Sequence, residues 1–160
     1  MNALTELLVK GAAIALASLF FGLRNNAPYH TLAASSLIGA VGYGLYAALL
    51  SRSEVLAFFA GTFLCCVLAE VFARILRTPT TVISIVAIIP LVPGVMLYNT
   101  MLEFTHGNTI SGIEMVVRTL TAAGSMALAI TVASIIGKFV ISPLGKEHHR
   151  KPRIKNEKQP

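Results

Sequence analysis

Read from the N-terminus, the chain alternates long apolar runs with short polar punctuation. The apolar runs fall at roughly 5–23, 31–50, 54–76, 80–102 and 112–138. Each reaches the length, about 18 residues or more, at which an apolar helix can cross a bilayer. Between them lie Arg24-Asn25-Asn26-Ala27-Pro28, Ser51-Arg52-Ser53, Arg77-Thr78-Pro79 and the stretch from Glu103 to Ser111. The pattern predicts an all-α, polytopic integral membrane bundle of about five transmembrane helices, the fourth of them broken.

The punctuation carries helix-start signals. Ser51-Arg52-Ser53-Glu54 and Ser111-Gly112-Ile113-Glu114 both fit the S-x-x-E capping box, in which the Glu reaches back to the cap. Thr78-Pro79 reads as an N-cap followed by proline at the first helical position. Glu54 and Glu114 are acidic functional candidates, but capping explains both adequately. Two stripes of small residues at four-residue spacing, Ser36-Ala40-Gly44-Ala48 and Ser125-Ala129-Ala133-Gly137, predict faces of close helix approach, within the bundle or against another subunit.

The fourth span contains Ile88-Ile89-Pro90-Leu91-Val92-Pro93-Gly94. Pro90 and Pro93 have no N–H, so the carbonyls of Val86 and Ile89 lose their helical donors. In lipid such groups need another partner or a cavity. Counting from Thr80, Pro90 lies about 15 Å into the span at the 1.5 Å helical rise, near the middle of a hydrocarbon core about 30 Å thick. A second half-helix starting after Pro93 would present the N–H groups of Gly94, Val95 and Met96 at its positive end, a site for a carboxylate. Tyr98 and Asn99 follow one turn later with side-chain hydrogen bonds to offer. The same residues also fit a proline kink satisfied by neighbouring helices and water, and the motif alone does not choose.

Composition agrees with a membrane protein and adds a direction. Hydrophobic residues make up 55% of the 160, and charged residues only 12%, too few polar positions to clothe a soluble domain of this size. Residues 1–142 read as one transmembrane domain, and 143–160 as a basic cytoplasmic tail, disordered. The net charge of +6 is concentrated there, in Lys146, Arg150, Lys151, Arg153, Lys155 and Lys158, which places the C-terminus inside rather than on nucleic acid. Arg24, Arg74 and Arg77 then fall inside as well, whereas Lys10 and Arg52 run against the rule. The first span has no basic n-region and is read as retained, despite Ala15-Leu16-Ala17 as a small-residue cleavage pattern. Cys65 and Cys66 lack a ligand context and read as packing residues.

Ionisable groups inside spans are costly and mark candidate function. Glu70 and Arg74 are expected to pair at i, i+4 near the inner end of the third span, with Glu70 a candidate for proton coupling. Arg118, near the outer end of the fifth, has the charge to draw a carboxylate and could pair with Glu114. The chain has no aspartate, and His30, His106, His148 and His149 lie outside the spans. No catalytic residue, metal set or cofactor is expected, which argues against an enzyme.

With these residues in place, a resemblance follows. Thr78-Pro79, the run from Ile88 to Gly94, and Tyr98 resemble the signature of the threonine/serine exporter (ThrE-type) family, most closely its small YjjB-like subunit. The resemblance extends over roughly 5–140, including the glycine-rich second span with Gly39, Gly42 and Gly44. It implies an inner-membrane exporter of small hydrophilic carboxylates, either threonine and serine or a succinate-type dicarboxylate. It also implies a YjjP-like second membrane subunit. Pro90, Pro93, Gly94 and Tyr98 match the family motif; Glu70, Val95, Asn99 and Arg118 are site candidates on physical grounds alone. The reading is thus a secondary exporter subunit working by alternating access, with proton coupling, its substrate at the break. An accessory subunit with no substrate site of its own, and a homo-oligomer needing no partner, are the alternatives.

Overall fold

The computed structural model describes residues 3–137 and residue 139, and among these the regular structure is helical throughout. The helices are α1 (Ala3–Arg24), α2 (Tyr29–Leu49), α3 (Glu54–Ile75), α4 (Thr80–Ile88), α5 (Gly94–Thr105) and α6 (Thr109–Ile136), with a 3-10 turn at Ile89–Leu91 between α4 and α5. The tail expected at 143–160 lies outside the described residues. Helices α2, α3 and α6 are each long and apolar enough to cross a membrane, and the bent pair α4–α5 makes a fourth span if taken as one. Helix α1, expected as the first of five spans, does not reach the same measure. The chain is a helical membrane bundle.

The helix ends are closed by backbone geometry. Asn26, Arg77 and Gly107 adopt positive φ, at 53°, 51° and 79°. Behind each, the next N–H reaches back five residues: Ala27 to the Gly22 carbonyl, Thr78 to Ala73 and Asn108 to Glu103, at 2.9–3.0 Å. These are Schellman caps for α1, α3 and α5. They displace the helix starts expected from sequence. The Thr78 N–H belongs to the α3 cap, so Pro79 takes the flanking position and α4 opens at Thr80. Neither S-x-x-E box forms: α3 is flanked by Ser53 and α6 by Asn108, without side-chain cap bonds. Ser51 and Arg52 are still turning out of α2, the Arg52 N–H bonding Leu49 at 2.9 Å, so Ser51 cannot cap α3.

Helix α4 lies against α2 and α3 with further contact to α1, and α6 packs along α3. Ile38, Cys65, Ile83, Ala87, Leu91 and Met126 belong to the shared core. Cys65 and Cys66 are buried free thiols within it. Close approach is set by glycine. A Cβ on Gly42 would collide with Cys65 Sγ and lie 3.2 Å from the Gly61 carbonyl, and one on Gly39 would meet Ser18 Oγ at 2.7 Å and the Ala87 carbonyl at 3.0 Å. Backbones this near gain the packing that replaces hydrophobic drive in lipid. The stripe Ser125, Ala129, Ala133 and Gly137 is buried inside the bundle, whereas Ala48 of the other stripe is exposed and Gly44 faces open space.

Helices α3 and α6 run in the same direction. Arg118 meets Glu54 near their beginnings, and Arg74 meets the Gly137 carbonyl near their ends. The α4–α5 segment must therefore carry the chain from the end of α3 back to the level where α3 began. It is one broken span, bent by 44°, and not a re-entrant loop that returns to its starting side.

Candidate functional site

The break is built by two prolines acting in different ways. Pro90 sits in the 3-10 turn, whose tighter winding ends α4. Val92 is forced into an extended conformation (φ −56°, ψ 131°) by the proline after it. Pro93, at φ −73° and ψ 51°, is the centre of an inverse γ-turn closed by the Gly94 N–H on the Val92 carbonyl at 2.7 Å. This corrects the sequence-based picture of the break. The Gly94 N–H is engaged, and the Ile89 carbonyl accepts the Val92 N–H at 3.2 Å. Val95 and Met96 keep N–H groups with no acceptor among the described residues, at the positive end of α5. Gly94 itself is exposed, and a Cβ there would meet nothing within 4 Å.

Beyond the break, α5 leaves the α2–α3–α4 core and packs on α6. Thr100 and Thr119 meet between the two helices, their hydroxyls 3.3 Å apart; each has the carbonyl four residues back within 2.8 Å, so one donates to its carbonyl while the other donates across the interface. Phe104 covers Gly112, where a Cβ would come within 2.8 Å of the ring. These contacts fix the register that brings Asn99 beside Arg118.

The result is a cavity of about 140 Å³ lined by Glu54, Met96, Asn99, Met115 and Arg118. Arg118 donates to Glu54 Oε2 through Nη2 at 2.8 Å and through Nε at 3.2 Å. Glu114, the expected helical partner of Arg118, does not take this role; Glu54 reaches it across the α3–α6 interface. Glu54 is the first residue of α3, where the positive helix end favours a carboxylate. The cavity thus offers a guanidinium, a carboxylate and an amide between two methionine side chains, which adapt readily to ligand shape. Of the sequence candidates, it gathers Asn99 and Arg118. Pro90, Pro93 and Gly94 form the break before it, and Val95 and Tyr98 lie on the exposed face of α5, at 74% and 66% accessibility.

Glu70 lies at the opposite end of the bundle. Its Oε2 accepts from Thr80 Oγ1 at 3.3 Å, tying α3 to the start of α4, and its side chain occupies the space beside Gly137 that a Cβ would fill. Arg74 Nη2 donates to the Gly137 carbonyl at 3.4 Å. A second cavity, of about 260 Å³, opens near this end between the α1–α2 turn at Asn25 and Asn26 and the α4 residues Thr81 and Ile85. The two cavities thus border opposite halves of the broken span. Buried hydroxyls on Ser18 and Thr62 have no hydrogen-bond partner among the described residues, and neither stood out in the sequence. Among the described residues no cluster of His, Cys, Asp or Glu could hold a metal ion.

Sequence reasoning passed over the side chains of Met96 and Met115, and set Glu54 aside in favour of capping. The one available signal was an acidic residue opening an otherwise apolar span, and capping explained it locally. Comparison with known proteins then bears on what the arrangement is for. No curated protein and no solved structure matches the chain. A sequence model described as the threonine/serine exporter, ThrE, matches residues 10–136, which takes in the broken span and both cavities. The chain is therefore a membrane-transport protein belonging to the threonine/serine exporter (ThrE) family.

Proposed function

We propose that the chain is the membrane subunit of a two-component secondary exporter of small hydrophilic carboxylates, threonine and serine or a succinate-type dicarboxylate. One observation carries the reading: Arg118 and Asn99 converge on a cavity beside the broken α4–α5 pair. Arg118 takes the carboxylate, Asn99 a hydroxyl, and the free Val95 and Met96 N–H groups add positive potential from the α5 terminus. Cavities bordering opposite halves of the break support alternating access, with the two half-helices moving about the Pro90–Gly94 hinge. Glu70, bonded to Thr80 on the moving half, is the proton-coupling residue.

A YjjP-like second subunit completes the path. The face of α5 bearing Val95, Tyr98 and Met101 is exposed and adjoins the site, which suits a subunit interface. The complex resides in the inner membrane with the C-terminus of this chain in the cytoplasm. The rival reading makes this chain an accessory subunit whose partner alone binds substrate.

Export of labelled threonine, serine and succinate from cells expressing this chain, the partner, or both distinguishes them. Export that requires both chains, and is abolished by Gly94→Leu while the complex still assembles, supports a site at the break. The open space at Gly94 makes this variant informative, since a Cβ there meets nothing within 4 Å in the chain itself. Export by the partner alone establishes the accessory role instead.

A further inference from the structure

We propose that the Glu54–Arg118 ion pair is a latch that a zwitterionic amino acid replaces charge for charge, its carboxylate on Arg118 and its ammonium on Glu54. The proposal rests on the transport reading above and adds the ammonium partner, a preference among substrates and a link to helix movement.

The geometry leaves capacity on both partners. Arg118 directs two donors at Glu54 Oε2 alone, so Glu54 Oε1 and Arg118 Nη1 have no partner among the described residues. Both side chains are accessible, at 56% for Arg118 and 30% for Glu54, and both line the cavity. Its volume of about 140 Å³ is well below the roughly 300–1,000 Å³ of pockets for drug-sized ligands. It suits a metabolite of a few heavy atoms. Asn99 supplies a donor and an acceptor for a side-chain hydroxyl.

Charge balance then selects the substrate. The pair is neutral overall, and an α-amino acid entering between its members keeps the site neutral with both charges matched. A dicarboxylate finds Arg118 but sets its second charge against Glu54, and like charges so placed are repelled. A ligand with only one of the two groups opens the pair and leaves one member unmatched. The latch is also mechanical, because it joins the beginnings of α3 and α6. Small-residue packing along Ala129, Ala133 and Gly137 continues toward the other end. Replacing the ion pair by substrate therefore loosens α3 from α6 at the site end alone, so that only a ligand bearing both charges offsets the opening.

The test is competition against labelled threonine transport in inverted membrane vesicles carrying this chain with its YjjP-like half. The competitors are 3-hydroxybutyrate, which lacks the ammonium, 1-amino-2-propanol, which lacks the carboxylate, and succinate. In the wild type all three compete about tenfold more weakly than threonine, or worse. In Glu54→Gln the affinity for threonine falls about tenfold while 3-hydroxybutyrate becomes as good a competitor as threonine. Equal weakening of every ligand in Glu54→Gln marks a structural pair and overturns the latch, with the transport reading intact. If that variant fails to assemble, the wild-type ranking decides: 3-hydroxybutyrate competing as well as threonine overturns the latch. Absence of threonine transport by the wild-type pair of chains overturns the transport reading itself.

Discussion

Arg118 and Glu54 are 64 residues apart along the chain and 2.8 Å apart in space, and Arg74 and Gly137, 63 residues apart, meet at the far end of the same two helices. The near-equal separations mean that α3 and α6 keep one parallel register over about 30 Å, the thickness of a hydrocarbon core. The connection between them has to cross the membrane, so the proline break lies within a true span.

That topology is open to chemical labelling. Arg77→Cys and Asn108→Cys, at the two ends of α4–α5, are expected to react with an impermeant thiol reagent from opposite sides of the membrane. Arg52→Cys should share its side with Asn108→Cys. The native Cys65 and Cys66 are buried and stay silent. Reaction of Arg77→Cys and Asn108→Cys from one side establishes a re-entrant loop in place of a span.

Two glycines of α2 separate packing from tolerance. Gly42→Val drives a side chain into Cys65 and the Gly61 carbonyl, and overpacking of this kind costs about 1–3 kcal/mol. Gly44→Ala, two residues on, meets nothing within 4 Å, and inside a helix it should raise stability by about 0.5–1 kcal/mol. Thermal unfolding of the two variants in detergent measures the difference.

The cap at the end of α3 gives a substitution of opposite sign. Arg77 holds φ 51°, a region that costs a non-glycine residue about 1–2 kcal/mol, so Arg77→Gly should raise stability by about 1 kcal/mol. Gly107→Ala, at φ 79°, should lower it by a similar amount. The same unfolding measurement checks both, and opposite shifts are the expected outcome.

Thr100→Val removes one hydroxyl of the Thr100–Thr119 bridge that docks α5 on α6. A loss of about 1 kcal/mol is expected, together with reduced threonine transport at unchanged complex assembly. Glu70→Gln should act differently. Exchange of labelled for unlabelled threonine persists, while the response of net transport to an imposed pH gradient disappears.

Much of this architecture was legible in the sequence because it is written locally. The apolar runs at 54–76 and 112–138 correspond to α3 and α6 within three residues at each end, and the prolines placed the break where it occurs. Arg118 and Asn99 stood out as polar groups within or near apolar runs. The pairing of Arg118 with Glu54 was not legible: Glu114 offered a partner four residues away, and only the register between helices selects the distant one. The left-handed Arg77 was hidden for a related reason, since neither composition nor spacing marks arginine for that conformation. The fate of the Gly94 N–H depended on the inverse γ-turn at Pro93, a backbone choice that the proline permits but does not dictate.

The central claim is that threonine occupies the cavity between Asn99 and Arg118, and the most direct measurement is protection of its wall. Met115→Cys places a thiol on that wall one turn from Arg118, in a chain whose native cysteines are buried. Saturating threonine should slow modification of this thiol by a small maleimide in the assembled complex, and Arg118→Gln should abolish the protection. A modification rate unchanged by threonine, in a complex that still transports it, places the substrate elsewhere and contradicts the account.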